Sequence, residues 1–213
     1  MKLYDYWRST AAYRVRIALM LKNIPFERIP VHLVKSGGEH LHDSYLSINP
    51  QGLLPALMLE DGEVLTQSVS IIEYLDALYP APPLYPEAPI VAQKVRQITS
   101  LVTCDMHPLN NLRVLKQLRS QFSASDEAVQ AWYHHWLHVG FTSLELMLDA
   151  QGPFALGDTL TAADVCIIPQ VYNARRFEFD LSQFPRIVRT EQYCLTLPAF
   201  DAARPEAVRS GEE

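Results

Sequence analysis

Five of the fifteen prolines fall within residues 80–89, PAPPLYPEAP. Proline fixes φ and has no amide hydrogen, so this stretch can neither continue a helix nor sit inside a sheet. It reads as a linker, and the sequence changes character across it. The spacing predicts a first domain over residues 1–80, a linker over 81–89 and a second domain over 90–213. With 48% hydrophobic residues, the chain has enough apolar material for proper cores without disulfides or metals.

The first part alternates strand and helix. Residues 2–7, KLYDYW, are rich in β-formers. Residues 11–22, AAYRVRIALMLK, turn helical, with Ala11, Val15, Ala18 and Leu19 on one face. Residues 26–33 predict a second strand, in which Pro30 marks an edge or a bulge. Ser36-Gly37-Gly38 punctuates, and a short helix is expected over 39–48, before Asn49-Pro50. The apolar runs 55–59 and 63–67, joined by Glu60-Asp61-Gly62, predict a hairpin. A helix with Ile71, Ile72, Leu75 and Leu78 follows from Ser68. The order β-α-β-α-β-β-α is that of a thioredoxin-like domain.

The second part reads as all helix, so the fold class is α/β plus all-α: a thioredoxin-like domain followed by a helical bundle. Val91, Val95, Ile98, Val102, Met106, Leu109, Leu112 and Leu115 recur at three- and four-residue steps, with a break expected near His107 because of Pro108. Residues 126–150 repeat the pattern through Val129, Trp132, Trp136, Val139 and Leu146. Thr161 and Asp164 have capping-box spacing at the start of a further helix.

The bulk properties exclude several functions. A net charge of −6 argues against nucleic acid and anionic membranes as partners. No apolar run approaches the ~18 residues of a membrane span. Cys104, Cys166 and Cys194 show no metal-binding spacing, so no metal is expected. Reduced thiols and the absence of a signal-peptide pattern set the cytoplasm as the expected compartment.

Three junctions carry candidate chemistry. Ser9 and Thr10 stand where the first strand gives way to the first helix. A hydroxyl there caps the helix, or donates to a thiolate and lowers its pKa with the help of the helix dipole. Leu54 precedes Pro55 at a strand entrance, where its backbone can meet an extended ligand. Gln67-Ser68 starts a helix beside free amides, a ready carboxylate site. A tripeptide with a γ-glutamyl carboxylate, an extended cysteinyl backbone and a thiol would engage all three.

RSTAAYRVRIAL at 8–19 resembles the SSCSxRVRIAL signature of zeta-class glutathione transferases, the maleylacetoacetate isomerase family. So do VHLVKSGGEH at 31–40, NPQGLLPAL at 49–57, QSVSIIEYL at 67–75, GDTLTAADVCIIPQV at 157–171 and NARRF at 173–177. The likeness runs from Lys2 to about residue 200. The family's Ser-Ser-Cys stands here as Ser9-Thr10-Ala11, so its cysteine is dispensable, and His40 stands where the family usually has glutamine.

The resemblance implies glutathione-transferase architecture with glutathione as cofactor and a small dicarboxylate as substrate. It implies a catalytic role for Ser9 and Thr10. Glutathione contacts carry over to Ser9, Thr10, Ala11, Ala12, Tyr13, Arg14, His40, Leu54, Gln67 and Ser68, and to His107, Asn111, Leu112 and Arg113. For His107 the alternative is service to backbone groups freed by Pro108. Arg8 and Arg176 are the implied substrate-carboxylate partners, whereas Arg175 reads as a solvated surface residue. The implied reaction is cis–trans isomerisation of maleylacetoacetate by a homodimer. Maleylpyruvate isomerisation, transfer or dehalogenation of small carboxylates, and non-catalytic protein binding on the same scaffold stay open.

Overall fold

The computed structural model describes residues 1–209. They form two compact units: Met1–Leu84 together with the chain from Leu195 onward, and Tyr85–Cys194.

In the first unit, β1 (Lys2–Asp5) pairs in parallel with β2 (Glu27–Pro30) and antiparallel with β3 (Ala56–Met58). β3 pairs antiparallel with β4 (Val64–Thr66), giving the order β2-β1-β3-β4. A parallel pair needs a crossover, and α1 (Thr10–Leu21) supplies it. Pro30 does lie on an edge strand, where its missing amide hydrogen is tolerated. The β3–β4 turn is carried by Gly62, whose φ of 92° suits glycine. The expected helix over 39–48 is mostly absent. Two 3₁₀ turns, Lys35–Gly37 and Glu39–Leu41, precede a four-residue α2 (Asp43–Leu46). Positive φ at Ser36, Gly37 and Gly38 breaks the chain there, and Asn49-Pro50 leaves no room to recover.

Helix α1 is not one-sided. Ala11 is only half-buried, while Ala12 through Leu19 are all buried, Arg14 and Arg16 among them. Those cations are tolerated because each has partners. Arg16 donates to Asp5 Oδ1 at 2.7 Å, to the Trp7 carbonyl at 3.0 Å and to the Ala203 carbonyl at 3.0 Å. Asp5, fully buried, also accepts from Arg28 Nε at 2.7 Å. Helix α3 (Ser68–Leu78) packs beside α1. Lys22, just past α1, donates to Asp76 at 2.8 Å, to the Tyr79 carbonyl at 2.5 Å and to the Pro82 carbonyl at 2.9 Å, anchoring the start of the proline-rich stretch.

The end of the chain does not join the helical domain, contrary to the expected span of 90–213. Helices α9 (Pro198–Ala203) and α10 (Pro205–Val208) return to the first unit, with α9 against α1. The cause is a set of backbone acceptors met by donors of the first unit, of which Arg16 and Tyr13 are buried and Arg28 half-buried. Arg16 holds Ala203 O, Tyr13 Oη reaches Phe200 O at 3.5 Å, and Arg28 Nη1 donates to Val208 O.

In the second unit, α4 (Pro89–Ser100) runs into a π-helical segment, Leu101–Met106, before the chain turns at His107–Asn110. The break near Pro108 is thus present, and α5 (Leu112–Phe122) restarts beyond it. Helix α6 (Asp126–Met147) buries Val129, Tyr133, Leu137, Gly140, Phe141 and Leu144. Val139 and Leu146, expected on its apolar face, are instead 46% and 79% exposed. A Cβ on Gly140 would fall on the Met106 side chain, so this glycine lets α6 approach the π segment. Helix α7 (Ala162–Arg176) is buried along most of its length and packs against α4 and α8 (Pro185–Cys194). It opens with the expected capping box. The Thr161 hydroxyl accepts from Ala163 N at 3.3 Å, and Asp164 Oδ2 accepts from Thr161 N at 2.8 Å. Asp164 Oδ1 also accepts from Ala155 N at 2.7 Å, tying in the preceding loop.

Candidate active site

Ser9 is the N-cap of α1 and accepts from Ala12 N at 3.2 Å. It is half-buried, and its own proton goes to no acceptor among the described residues. Its hydroxyl therefore combines a helix N-terminus with an unused donor, which suits an anion. Thr10, the other candidate hydroxyl, is only 6% exposed. Ala12 and Tyr13 are buried, with Ala11 half-buried at the surface of the same turn.

Two further segments are held near this turn by named contacts. Tyr6 and Trp7, just before Ser9, share an apolar cluster with Val31, Tyr45, Leu54 and Ala56. Leu54 precedes a cis peptide bond to Pro55 and lies outside the ladder, which begins at Ala56. The loop before it is fastened at the Leu53 carbonyl, which accepts from Tyr45 Oη at 2.6 Å and Asn49 Nδ2 at 2.8 Å. Burial, foremost, pushes the Tyr45 phenol up to about 12, so it stays a neutral donor.

The N-terminus of α3 is tied to α1 by Arg14 Nη1, which donates to Ser68 Oγ at 3.3 Å. Gln67 caps α3 with φ of 66°, a left-handed value strained for a non-glycine residue, and donates to Gln51 Oε1 at 2.9 Å. His40 sits in the second 3₁₀ turn with its ring against Gly38. Arg14 and Arg16 face different ways, as their spacing requires, so only Arg14 belongs with the α3 terminus.

Arg8 is exposed and stacks on the Trp7 ring, with Cζ 4.2 Å from the centroid. It makes no hydrogen bond or ion pair among the described residues.

Within the second unit, Arg176 Nη1 donates to Asn173 Oδ1 at 2.9 Å, and its guanidinium lies 5.7 Å from the Phe177 ring centroid. Asn173 Nδ2 in turn donates to Tyr133 Oη at 2.5 Å, and Tyr133 stacks on Phe177 at 3.9 Å. Arg176 is therefore an exposed cation held in one orientation. Arg175 is exposed, as its sequence suggested, but it is not without a partner. It forms a two-point pair with Glu191, which is only 4% exposed, and so binds α7 to α8. Asn111 caps α5, accepting from Arg113 N at 3.1 Å, while Leu112 and Arg113 are exposed. His107 ends the π segment and is half-buried. Among the described residues, no group of three or more His, Cys, Asp or Glu side chains is placed to hold a metal.

The sequence pattern of the family described as Glutathione S-transferase, N-terminal domain, matches residues 3–83. A probable maleylacetoacetate isomerase from Vibrio cholerae is 45% identical over 206 residues, covering 96% of this chain and 95% of its own. A solved holo structure of maleylpyruvate isomerase, described as a bacterial glutathione S-transferase of the zeta class, matches with TM-score 0.93 and 44% identity, covering 97% of this chain and 98% of its own. The maleylacetoacetate isomerase of Methylobacterium extorquens AM1, solved with malonate and glutathione bound, matches with TM-score 0.93 and 35% identity over 98% of each chain. Fold and N-terminal pattern together define a glutathione S-transferase scaffold. The likeness over the whole chain is narrower: the chain belongs to the zeta-class family of maleylacetoacetate and maleylpyruvate isomerases.

Proposed function

We propose that this chain is a glutathione-dependent cis–trans isomerase that converts maleylacetoacetate to fumarylacetoacetate in aromatic amino-acid breakdown. The observation that carries the reading is the Ser9 hydroxyl, positioned at the α1 N-terminus with no acceptor for its proton among the described residues. Bound glutathione supplies a thiol that adds reversibly to the cis double bond and leaves after rotation.

The work of the protein is to hold that thiol ionised and to receive charge on the substrate. Ser9 donates to the sulfur, and the α1 dipole adds to the preference for the anion. Thr10, buried, has the lesser part. Leu54 offers its backbone to the cysteinyl residue, in the manner of an added strand. Ser68 and the adjoining α3 amides take the γ-glutamyl carboxylate, with Arg14 accentuating the positive field behind Ser68. The flanking Ala11, Ala12, Tyr13, His40 and Gln67, with His107, Asn111, Leu112 and Arg113 from the second unit, complete the assignment by family likeness. Arg8 and Arg176 bind substrate carboxylates and stabilise the negative charge that develops beside them during addition. A cytoplasmic homodimer completes the proposal.

Maleylpyruvate is the second reading, favoured by the 44% identity to a maleylpyruvate isomerase. Steady-state assays of the two substrates side by side, with and without glutathione, distinguish them. We expect activity only with glutathione and a higher kcat/KM for maleylacetoacetate. Preference for maleylpyruvate reverses the substrate assignment, and turnover without glutathione removes the proposal.

A further inference from the structure

Two arginines end α7, and the fold treats their charges differently. Arg175 meets the buried carboxylate of Glu191 in a two-point ion pair. Arg176 meets a neutral amide instead. Its Nη1 donates to Asn173 Oδ1 at 2.9 Å, and its other N–H groups find no acceptor among the described residues. Arg176 is exposed and forms no ion pair among those residues, so its charge is oriented but not cancelled.

The amide that orients Arg176 is itself fixed. Asn173 is buried, and its two polar atoms face different partners. A guanidinium offers only donors, so the amide oxygen must face Arg176. The NH₂ group then faces the Tyr133 phenol, to which it donates at 2.5 Å. Tyr133 is fully buried in α6, and burial, foremost, pushes its phenol up, so it stays neutral. Its ring stacks on Phe177 at 3.9 Å, and the next residue, His134, donates from Nε2 to the Phe177 carbonyl at 2.7 Å. Phe177 is also the ring beside the Arg176 guanidinium, at 5.7 Å. Two consecutive residues of α6 thus hold both the amide and the ring that flank this cation.

A helix C-terminus favours a cation, which alone accounts for an arginine in the last turn of α7. It does not account for a buried amide, oriented by a buried phenol, committed to one exposed guanidinium. Buried polar groups are costly unless bonded, and a surface cation needs no such partner. A carboxylate at position 173 would grip the guanidinium more strongly, as Glu191 grips Arg175. It would also cancel the charge that an incoming carboxylate requires. A neutral acceptor is the group that orients without cancelling.

We propose that Asn173 is a positioning residue for Arg176, aiming the guanidinium at a substrate carboxylate while leaving its charge free, and that Tyr133 fixes the amide in the orientation this needs. The inference rests on the reading of Arg176 as a substrate-carboxylate partner. It adds a determinant of dianion binding that touches no substrate and lies partly on α6.

The test compares wild type, Asn173→Asp, Tyr133→Phe and Arg176→Gln by two readouts. One is the KM for maleylacetoacetate, and the other is calorimetric titration of the glutathione-loaded protein with malonate. Asn173→Asp keeps an acceptor for Arg176 but adds a negative charge. It should weaken malonate binding about three- to tenfold and raise the dicarboxylate KM by about as much, with the thermal midpoint held. Tyr133→Phe keeps the stacked ring and removes the acceptor of the amide, and should weaken binding about two- to fivefold. Asn173→Ala added to Arg176→Gln should raise KM no further, because the amide acts only through the guanidinium. The KM for glutathione and the turnover of 1-chloro-2,4-dinitrobenzene should not move. If Arg176→Gln itself changes neither readout, the assignment of Arg176 to substrate falls and this inference falls with it. If Arg176→Gln weakens binding but Asn173→Asp and Tyr133→Phe do not, this inference alone is overturned. Weaker malonate binding in both variants of a protein that does not isomerise maleylacetoacetate removes the reaction and keeps the positioning role. Equal losses on the uncharged electrophile overturn the inference, since Asn173 would then only secure α7 to α6.

Discussion

Asp164 holds the start of α7 to the loop before it, and its removal should cost the fold heavily. Its carboxylate is fully buried and accepts from Ala155 N at 2.7 Å, Thr161 N at 2.8 Å and the Thr161 hydroxyl at 3.2 Å. Loss of a helix cap alone costs about 1 kcal/mol. Asp164→Ala, however, strands two buried backbone amides, at about 1–3 kcal/mol each, so about 2–6 kcal/mol is expected. Asp164→Asn keeps the shape and one acceptor but turns an NH₂ toward the other amide, and should lose about 1–3 kcal/mol. Burial, the dominant influence, lifts the Asp164 carboxyl to about 6 in spite of the hydrogen bonds that favour its ionised form. The folded protein therefore binds this proton near pH 6, and the unfolded chain only near pH 4. Between those values the folded state holds more protons, so stability from this group rises as pH falls and is lost as pH climbs through 6. Relative to Asp164→Asn, wild type should gain about 1 kcal/mol between pH 7.5 and pH 5. Urea unfolding followed by far-UV circular dichroism at the two pH values measures both effects. A loss below about 1 kcal/mol for Asp164→Ala, or a difference from Asp164→Asn that is flat with pH, refutes the reasoning.

Ser9→Ala should lower turnover about 10- to 1000-fold, the range for one donor to an anion, and should diminish the thiolate absorbance of bound glutathione near 240 nm. Ser9→Gly, which caps α1 nearly as well, should lose activity with little loss of stability, whereas Thr10→Ala should matter less. The reverse order between Ser9 and Thr10 would reassign the hydroxyl. Arg176→Gln should raise the dicarboxylate KM about ten- to a hundredfold, with lysine rescuing in part and 1-chloro-2,4-dinitrobenzene unaffected. Equal losses on both substrates would make Arg176 structural. Gly140→Ala should destabilise by about 1–3 kcal/mol despite alanine's better helix propensity, because its Cβ displaces buried Met106. Met106→Ala in the same chain should return part of that loss, and additive losses would contradict the steric account.

The features readable in the sequence were those with local causes. Proline density marked the linker, Asp61-Gly62 the hairpin, and Thr161 with Asp164 the start of α7. What escaped depends on contacts made at a distance. The return of the C-terminus is secured through the carbonyls of Ala203 and Val208, groups every residue possesses. The buried face of α6 was judged only in part: Val129 is buried and Trp132 and Trp136 half-buried as expected, but Tyr133, Leu137, Phe141 and Leu144 repeat at a similar spacing and take the core in place of Val139 and Leu146, a choice that only the neighbouring helices make. At the proposed site, the junction positions of Ser9, Leu54 and Ser68 were legible because strand ends and helix starts carry turn chemistry: Ser9 caps α1, Leu54 precedes the cis bond before β3 and Ser68 begins α3. The choice of Ser9 over Thr10 gains support from burial, and Arg175 acquired its role from Glu191, sixteen positions along the chain.

The central claim is that glutathione acts as a returned cofactor rather than a consumed substrate. Proton NMR of maleylacetoacetate mixed with the protein and far less than one equivalent of glutathione tests it directly. The account predicts complete conversion to fumarylacetoacetate, many turnovers per glutathione, with the free thiol intact at the end and no conversion when glutathione is left out. Conversion that halts once the glutathione has been consumed as a stable adduct, or that proceeds equally without it, would contradict the account.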